Sequence, residues 1–291
     1  MIAAFAAMLP DGKRLHLQQG PIDLVIGADG SEAEVAAAYA QAAAAFPAIL
    51  PRLVEELPAL RRAVGPDSAL FGPVARRMFA AVRPHWGCFI TPMAAVAGAV
   101  ADEILAAMTR GRRLTRAYVN NGGDIALHLG PGTRFEIGMV SRIDHADIDG
   151  IARIEAEQPV RGIATSGWGG RSFSLGIADA VTVLARNAAE ADAAATLVAN
   201  AVTLDHPGIG RTPADSLDPD SDLGGRLVTI AVPTLTPAEI DGALTAGAAI
   251  ADAMRRRGQI FAACLSLQGH SKMVGGAASQ HSLTLAATQG A

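Results

Sequence analysis

Three short oxygen-bearing side chains, Asp192, Thr196 and Asn200, fall four residues apart in the stretch NAAEADAAATLVANAV that begins at Asn187. On a helix this spacing lines them up along one face. Asp and Thr oxygens in such a line suit a hard cation such as Mg²⁺, which takes oxygen ligands and keeps waters and phosphate oxygens beside them. The neighbouring Ala193, Ala195 and Ala199 are small enough to admit a bulky ligand or a closely packed neighbour. The competing reading is a stripe that faces water, with alanine present for its helix propensity. On that reading Asp192→Ala shifts stability by no more than about 0.5 kcal/mol.

Two further stretches carry residue types that ligands use. In VNNGGDIA, Asn121, Gly122, Gly123 and Asp124 sit between two apolar runs. Paired glycines reach positive φ and let backbone N–H groups approach an anion, although Asn-Gly is also the commonest hairpin turn. In IATSGWGG, a strand-like run ends in Thr165, Ser166 and Gly167, hydroxyls beside glycines that suit either an anion or a turn. DPDSDLGG echoes a calcium loop, but Gly224 comes one place late and no closing Glu follows. The chain has no H-E-x-x-H, no G-x-G-x-x-G after a strand, no Walker loop and no G-x-S-x-G elbow.

The elements that must position these residues are legible in outline. RLHLQQGPIDLVIGADG reads as two strands meeting at Gly20-Pro21, with Leu15, Leu17, Ile22, Leu24 and Ile26 alternating. Residues 31–64 are helical, interrupted at Pro47 and Pro51, and LVEELPALRRAV has the mixed charges of a solvated face. TPMAAVAGAVADEILAAMTRG opens a helix with Thr91 as N-cap and Pro92 at the first position. RAYVNNGGDIALHLGPGTRFEIGMV predicts three strands, and VRGIATSG and AVTVLA two more. The helix of the polar stripe begins at Asn187, with Glu190 completing a variant capping box. A strand at RLVTIAVP, a helix from Thr236 to Arg257 and a strand at QIFAACLSL follow. Residues 1–268 read as a single α+β unit, or as two subdomains whose boundary the sequence leaves open. The small polar residues from 269 to 291 read as a flexible tail.

Composition narrows the function. The chain has 291 residues, is 50% apolar and 18% charged, and carries a net charge of −4. This supports a large core and offers no basic field for nucleic acid. Cys88 and Cys264 lie far apart, which fits a reducing compartment. The uncharged stretch between Arg83 and Asp102 is broken by Pro84, Gly87 and Pro92, so it reads as a buried helix rather than a membrane span. MIAAFAAMLPDGKR has no basic residue ahead of its apolar run, so no secretory leader is expected and the protein reads as cytoplasmic.

Taken in order, AVAGAVADEILAAM, VNNGGDIAL, IATSG, AVTVLA and ADAAAT resemble the ApbE-like superfamily, which includes the FAD:protein FMN transferases. The resemblance implies an α+β fold, T-fold-related, with a mixed sheet packed against helices. In the transferases a Gly-x-x-x-Asp helix, a Gly-Gly-Asp strand end and a Thr-Ser-Gly strand end precede an Ala-Asp-x-x-x-Thr helix, whose Asp and Thr bind Mg²⁺ beside the FAD pyrophosphate. The corresponding positions here are Gly98 and Asp102, Gly122 to Asp124, Thr165 to Gly167, and Asp192 with Thr196. The resemblance therefore implies a small phosphorylated ligand, FAD or FMN, contacted by those residues together with Asn121 and Asn200. It assigns Mg²⁺ to Asp192 and Thr196. Ala97 stands where the transferases usually carry Lys, and RSFSLGIADA replaces their His-x-x-Asp-Pro stretch, so FMN transfer to a protein threonine is not expected. From Arg14 to Leu267 the chain looks closer to a sister family of anaerobes, methanogens and methylotrophs. Roles in sulfur assimilation or pterin-type cofactor formation have been suggested for that family. The alternative is therefore a non-catalytic accessory protein, with Cys88 as its sulfur-bearing feature. Self-association as a homodimer is the expected assembly, with no membrane partner.

Overall fold

The structure is a computed structural model that describes residues 3–67, 69–139, 150–275 and 282–285. The first part of the chain forms β1 (Phe5–Met8), β2 (Leu15–Gln19), β3 (Ile22–Gly30), α1 (Glu32–Ala45), α2 (Ile49–Leu60), α3 (Pro73–Val82) and α4 (Val96–Thr109). The strands β4 (Leu114–Asn121), β5 (Asp124–Leu129), β6 (Arg134–Met139), β7 (Gly150–Glu155), β8 (Gly162–Ser166) and β9 (Ala180–Ala185) follow. Then come α5 (Ala188–Ala201), β10 (Gly210–Pro213), α6 (Ala214–Leu217), β11 (Leu227–Ala231), α7 (Pro237–Arg256), β12 (Ala262–Leu267), β13 (His270–Val274) and β14 (Ser282–Leu285).

The chain forms two compact units, each assembled from separated segments. Unit 1 comprises Met1–Arg134, Glu155–Ala164 and Ala185–Ala193; unit 2 comprises Phe135–Ile154, Thr165–Leu184 and Ala194–Ala291. The divisions fall within β6, β7, β8, β9 and α5, so no linker marks them.

In unit 1 the strands run in the order β1-β2-β3-β4-β5-β8, with antiparallel neighbours. The alternation in β2 and β3 buries Leu15, Leu17, Ile22, Leu24 and Ile26 on one face, while the residues between them stay partly or fully exposed. That is the outcome expected of a sheet buried on one side. Helix α4 packs on α1, α3, β4 and β5, burying Gly98, Ala99, Val100, Ala101, Ile104 and Met108. Two helical stretches, 32–60 and 92–109, are long and apolar enough to cross a bilayer. In unit 1 the first is broken by a 3-10 turn at Phe46–Ala48, and the second packs as just described.

In unit 2 the strands β9, β12 and β13 lie side by side and antiparallel, and every residue of β9 and β12 is buried. AVTVLA is apolar apart from Thr182 because neither face of its strand meets water. Smaller sheets are formed by β14-β7-β6 and by the β10-β11 ribbon. Helix α7 starts with a full capping box, in which Thr236 Oγ1 accepts from Glu239 N and Glu239 Oε2 accepts from Thr236 N at 2.8 Å.

Several expectations need correction. Thr91 caps a 3-10 turn, Pro92–Ala95, and α4 proper starts at Val96 with no side-chain cap of its own. The tail expected from residue 269 begins instead with strand β13, paired to β12 from Leu267↔His270 to Ala263↔Val274. Gln268 at φ 45° and Gly269 at φ 79° make this two-residue turn, the geometry of a tight hairpin written without its usual Asn-Gly. Strand β1 and helix α3 were not anticipated at all. The remainder of the expected tail, apart from β14, lies outside the described residues.

Candidate functional site

Within unit 1, α4 and the first turn of α5 exchange carboxylates. A helix leaves its first N–H groups without intrahelical partners. On α4, which lacks a cap of its own, Gly98 N donates to Asp192 Oδ2 of α5 at 3.0 Å. On α5, Ala188 N and Ala189 N donate to Asp102 Oδ1 and Oδ2 of α4, each at 3.0 Å. Asn187 Oδ1 accepts from Glu190 N at 2.8 Å and Asn187 Nδ2 donates to Glu190 Oε1 at 3.0 Å, completing the capping-box variant anticipated from sequence. Each helix thus supplies an acid to the positive end of the other.

Gly98 makes this exchange geometrically feasible. A Cβ there would collide with the Ala188 carbonyl and with Ala189 N, and a Cβ on Gly162 would likewise strike the Asn187 carbonyl. Ala193, Ala195 and Ala199 are completely buried, so their size is used for packing rather than for exposed ligand space.

Burial pushes the Asp102 carboxyl up to about 6 from its ordinary 3.8, against the opposing pull of its two N–H bonds. Asp192 moves the same way, chiefly through burial and further through the nearby Asp102 charge, while the α4 N–H groups pull it down.

The glycine hairpin stands close to the same helix start. Asn121 and Asp124 face each other as β4–β5 partners and are 7% and 9% exposed. Asn121 Nδ2 donates to the Ala97 carbonyl at 3.1 Å, and Gly123 N donates to Asn120 Oδ1 at 2.8 Å. Gly122 has φ 65° and Gly123 φ 113°, so both need the freedom of glycine. No atom lies within 4 Å of a Cβ built on Gly123, which leaves open space beside this backbone.

The remaining candidates lie in unit 2. Thr165 Oγ1 is 2.9 Å from Thr182 Oγ1, and Ser166 and Gly167 are half-buried at the strand end. A Cβ on Gly167 would strike the Asp179 carbonyl. Asn200 Oδ1 accepts from Leu175 N at 2.9 Å and from Ser174 Oγ at 3.3 Å, so it pins the 174–175 backbone. Thr196, half-buried, has no side-chain hydrogen bond among the described residues. Asp179, which sequence reading passed over, receives Trp168 Nε1 at 3.3 Å and Gln268 N at 2.5 Å. Its signal was a lone acid inside the apolar run LGIADAV. Among the described residues no three His, Cys, Asp or Glu side chains gather as metal ligands.

A family model described as AbpE bacteria matches residues 6–273. A UPF0280 protein of Methanopyrus kandleri is 37% identical over 187 residues, which is 64% of this chain and 72% of that relative. The chain belongs to the ApbE-like superfamily. Other relatives of this ApbE-like protein include a UPF0280 protein of Methanosphaerula palustris, 38% identical over 58% of this chain and 68% of its own. One of Methanospirillum hungatei is 34% identical over 53% of this chain and 62% of its own. Among solved structures, the flavinyl transferase ApbE of Pseudomonas stutzeri, in its apo form, is 14% identical at a TM-score of 0.42 and covers 94% of both chains. The ApbE protein of Thermotoga maritima is 14% identical at 0.40, covering 70% of this chain and 88% of its own.

Proposed function

We propose that this ApbE-like protein binds a flavin nucleotide, FAD or FMN, with Mg²⁺, in the cytoplasm, and that it does not transfer FMN to a protein threonine. The observation that carries the reading is the hairpin of unit 1. Gly122 and Gly123 both have positive φ, open space lies beside Gly123, and the start of α4 is tied to this hairpin through Asn121. Backbone so placed meets a phosphate closely without a side chain in the way. Asp192 and, one helical turn on, Thr196 are the oxygen donors that would hold Mg²⁺. Their carboxylate and hydroxyl are of the hard type this ion takes. When bound, the ion neutralises phosphate charge. Asp192 is already committed to Gly98 N, so the same side chain would join the start of α4 to the metal. In this reading Gly98 and Asp102 keep the two helices close. The missing Lys at Ala97, and RSFSLGIADA in place of the acceptor-handling stretch, support the exclusion of FMN transfer.

Native mass spectrometry of the purified protein with FAD, with and without Mg²⁺, tests this directly. A one-to-one flavin adduct strengthened by Mg²⁺ is expected, and its absence under both conditions overturns the reading. Incubation with FAD, Mg²⁺ and a known acceptor protein should leave the acceptor mass unchanged. The accessory reading in sulfur or pterin-cofactor metabolism draws on Cys88, which is exposed, its Sγ donating to the His85 carbonyl at 3.1 Å. A failure of flavin binding together with fast labelling of Cys88 by a thiol probe would favour it.

A further inference from the structure

Unit 1 also contains a cleft among its helices, lined by none of the residues of the glycine hairpin. Helices α1 to α4 enclose a cleft of about 280 Å³ whose walls include Ala45, Ile49, Leu53, Val74 and Ala107. That volume lies just below the usual range of small-ligand pockets, which starts at roughly 300 Å³. Four charged side chains also line it. Two are already committed: Glu56 is buried and accepts from Phe71 N and Gly72 N, both at 2.8 Å, and Glu103 accepts from Arg77 Nε at 2.9 Å. The other two are Arg52 and Arg110, whose guanidinium groups have no carboxylate partner among the described residues. From residue 32, where α1 starts, to Arg110 the chain has seven arginines, no lysine and seven acidic residues, so the positive charge at the cleft is that of these two unpaired guanidinium groups. An apolar trough rimmed by two such groups matches a ligand with an apolar body and one anionic head.

We propose that this cleft binds a medium-chain carboxylate, its chain along the alanine and aliphatic wall and its head group paired with Arg52 and Arg110. This site is independent of the flavin reading and shares none of its residues. The test is calorimetric titration with sodium decanoate below its micelle concentration, at low salt, on the full chain. The wild type is expected to bind one decanoate saturably and to weaken with added salt. Arg52 and Arg110 are exposed, so the double variant Arg52→Ala/Arg110→Ala should keep the wild-type circular dichroism and melting temperature. It should bind decanoate at least tenfold more weakly. Ala44 is an exposed residue of the cleft wall, and Ala44→Trp should block binding by filling the cleft from outside. Decanol, with the same chain and no charge, should bind at least tenfold more weakly than decanoate. Absence of saturable decanoate binding by the wild type overturns the proposal. Wild-type affinity in a folded double variant, or equal affinity for decanol, overturns it as well.

Discussion

Asp102→Asn isolates the cost of burying a carboxylate between two helix ends. In the fold this group titrates near 6 rather than 3.8, a rise of roughly two units, each equivalent to about 1.4 kcal/mol. Because the folded pKa is raised, the fold holds the proton more tightly than the unfolded chain does. The associated stability is fully present below about pH 4 and is lost as pH climbs through about 6. The upper bound is on the order of 3 kcal/mol, and partial exposure with the favourable helix end reduces it to roughly 1–3 kcal/mol. Asn keeps one acceptor for Ala188 N or Ala189 N but presents an N–H₂ to the other, and it cannot titrate. Urea unfolding measured from about pH 4.5 to about pH 7.5 should show wild-type stability falling with pH and the variant falling less. The gap between them should therefore be wider at the acid end, by roughly 1–3 kcal/mol. Parallel curves, or a gap that widens toward neutral pH, would refute the assignment of the shift to burial.

Asp192→Ala should cost about 0.5–2 kcal/mol in thermal or urea unfolding, the value of a lost helix cap, and calorimetry should show loss of Mg²⁺-dependent flavin binding. Thr196→Val should weaken that binding more mildly and leave stability within about 0.5 kcal/mol. Gly123→Val, at φ 113°, should cost about 1–3 kcal/mol and abolish flavin binding; a lowered melting point with intact affinity would leave Gly123 only a structural role. Gly98→Ala should destabilise by at least roughly 2 kcal/mol because its methyl meets the Ala188 backbone. Gly242→Ala, on α7 with nothing within 4 Å, should instead stabilise by about 0.5–1 kcal/mol, and the two melting shifts should have opposite signs.

What the sequence determined by itself is what residues a few places apart decide among themselves. The alternation of Leu15, Leu17, Ile22, Leu24 and Ile26 specified a one-sided sheet, because a strand's faces repeat every two residues. Asn187 with Glu190, Thr236 as a helix cap and the paired glycines at 122 and 123 each encode a local backbone conformation, and each formed where read. Family membership was legible for a related reason: short motifs in a given order survive as text. The tertiary structure decided how the conspicuous polar groups are used. Asp192 serves the start of a helix 94 residues earlier, Asp102 serves one 86 residues later, and Asn200 holds a loop 25 residues back. No periodicity within α5 announces those partners. A near-neutral Asp192→Ala belongs only to the reading in which the stripe faces water, which leaves these partners out, since an orphan N–H on another helix is invisible in the sequence around the residue that satisfies it. The same holds for the division into two units, whose boundaries fall inside β6, β7, β8, β9 and α5. Packing drew those boundaries, and packing depends on which distant segments share a core rather than on any local break in the chain.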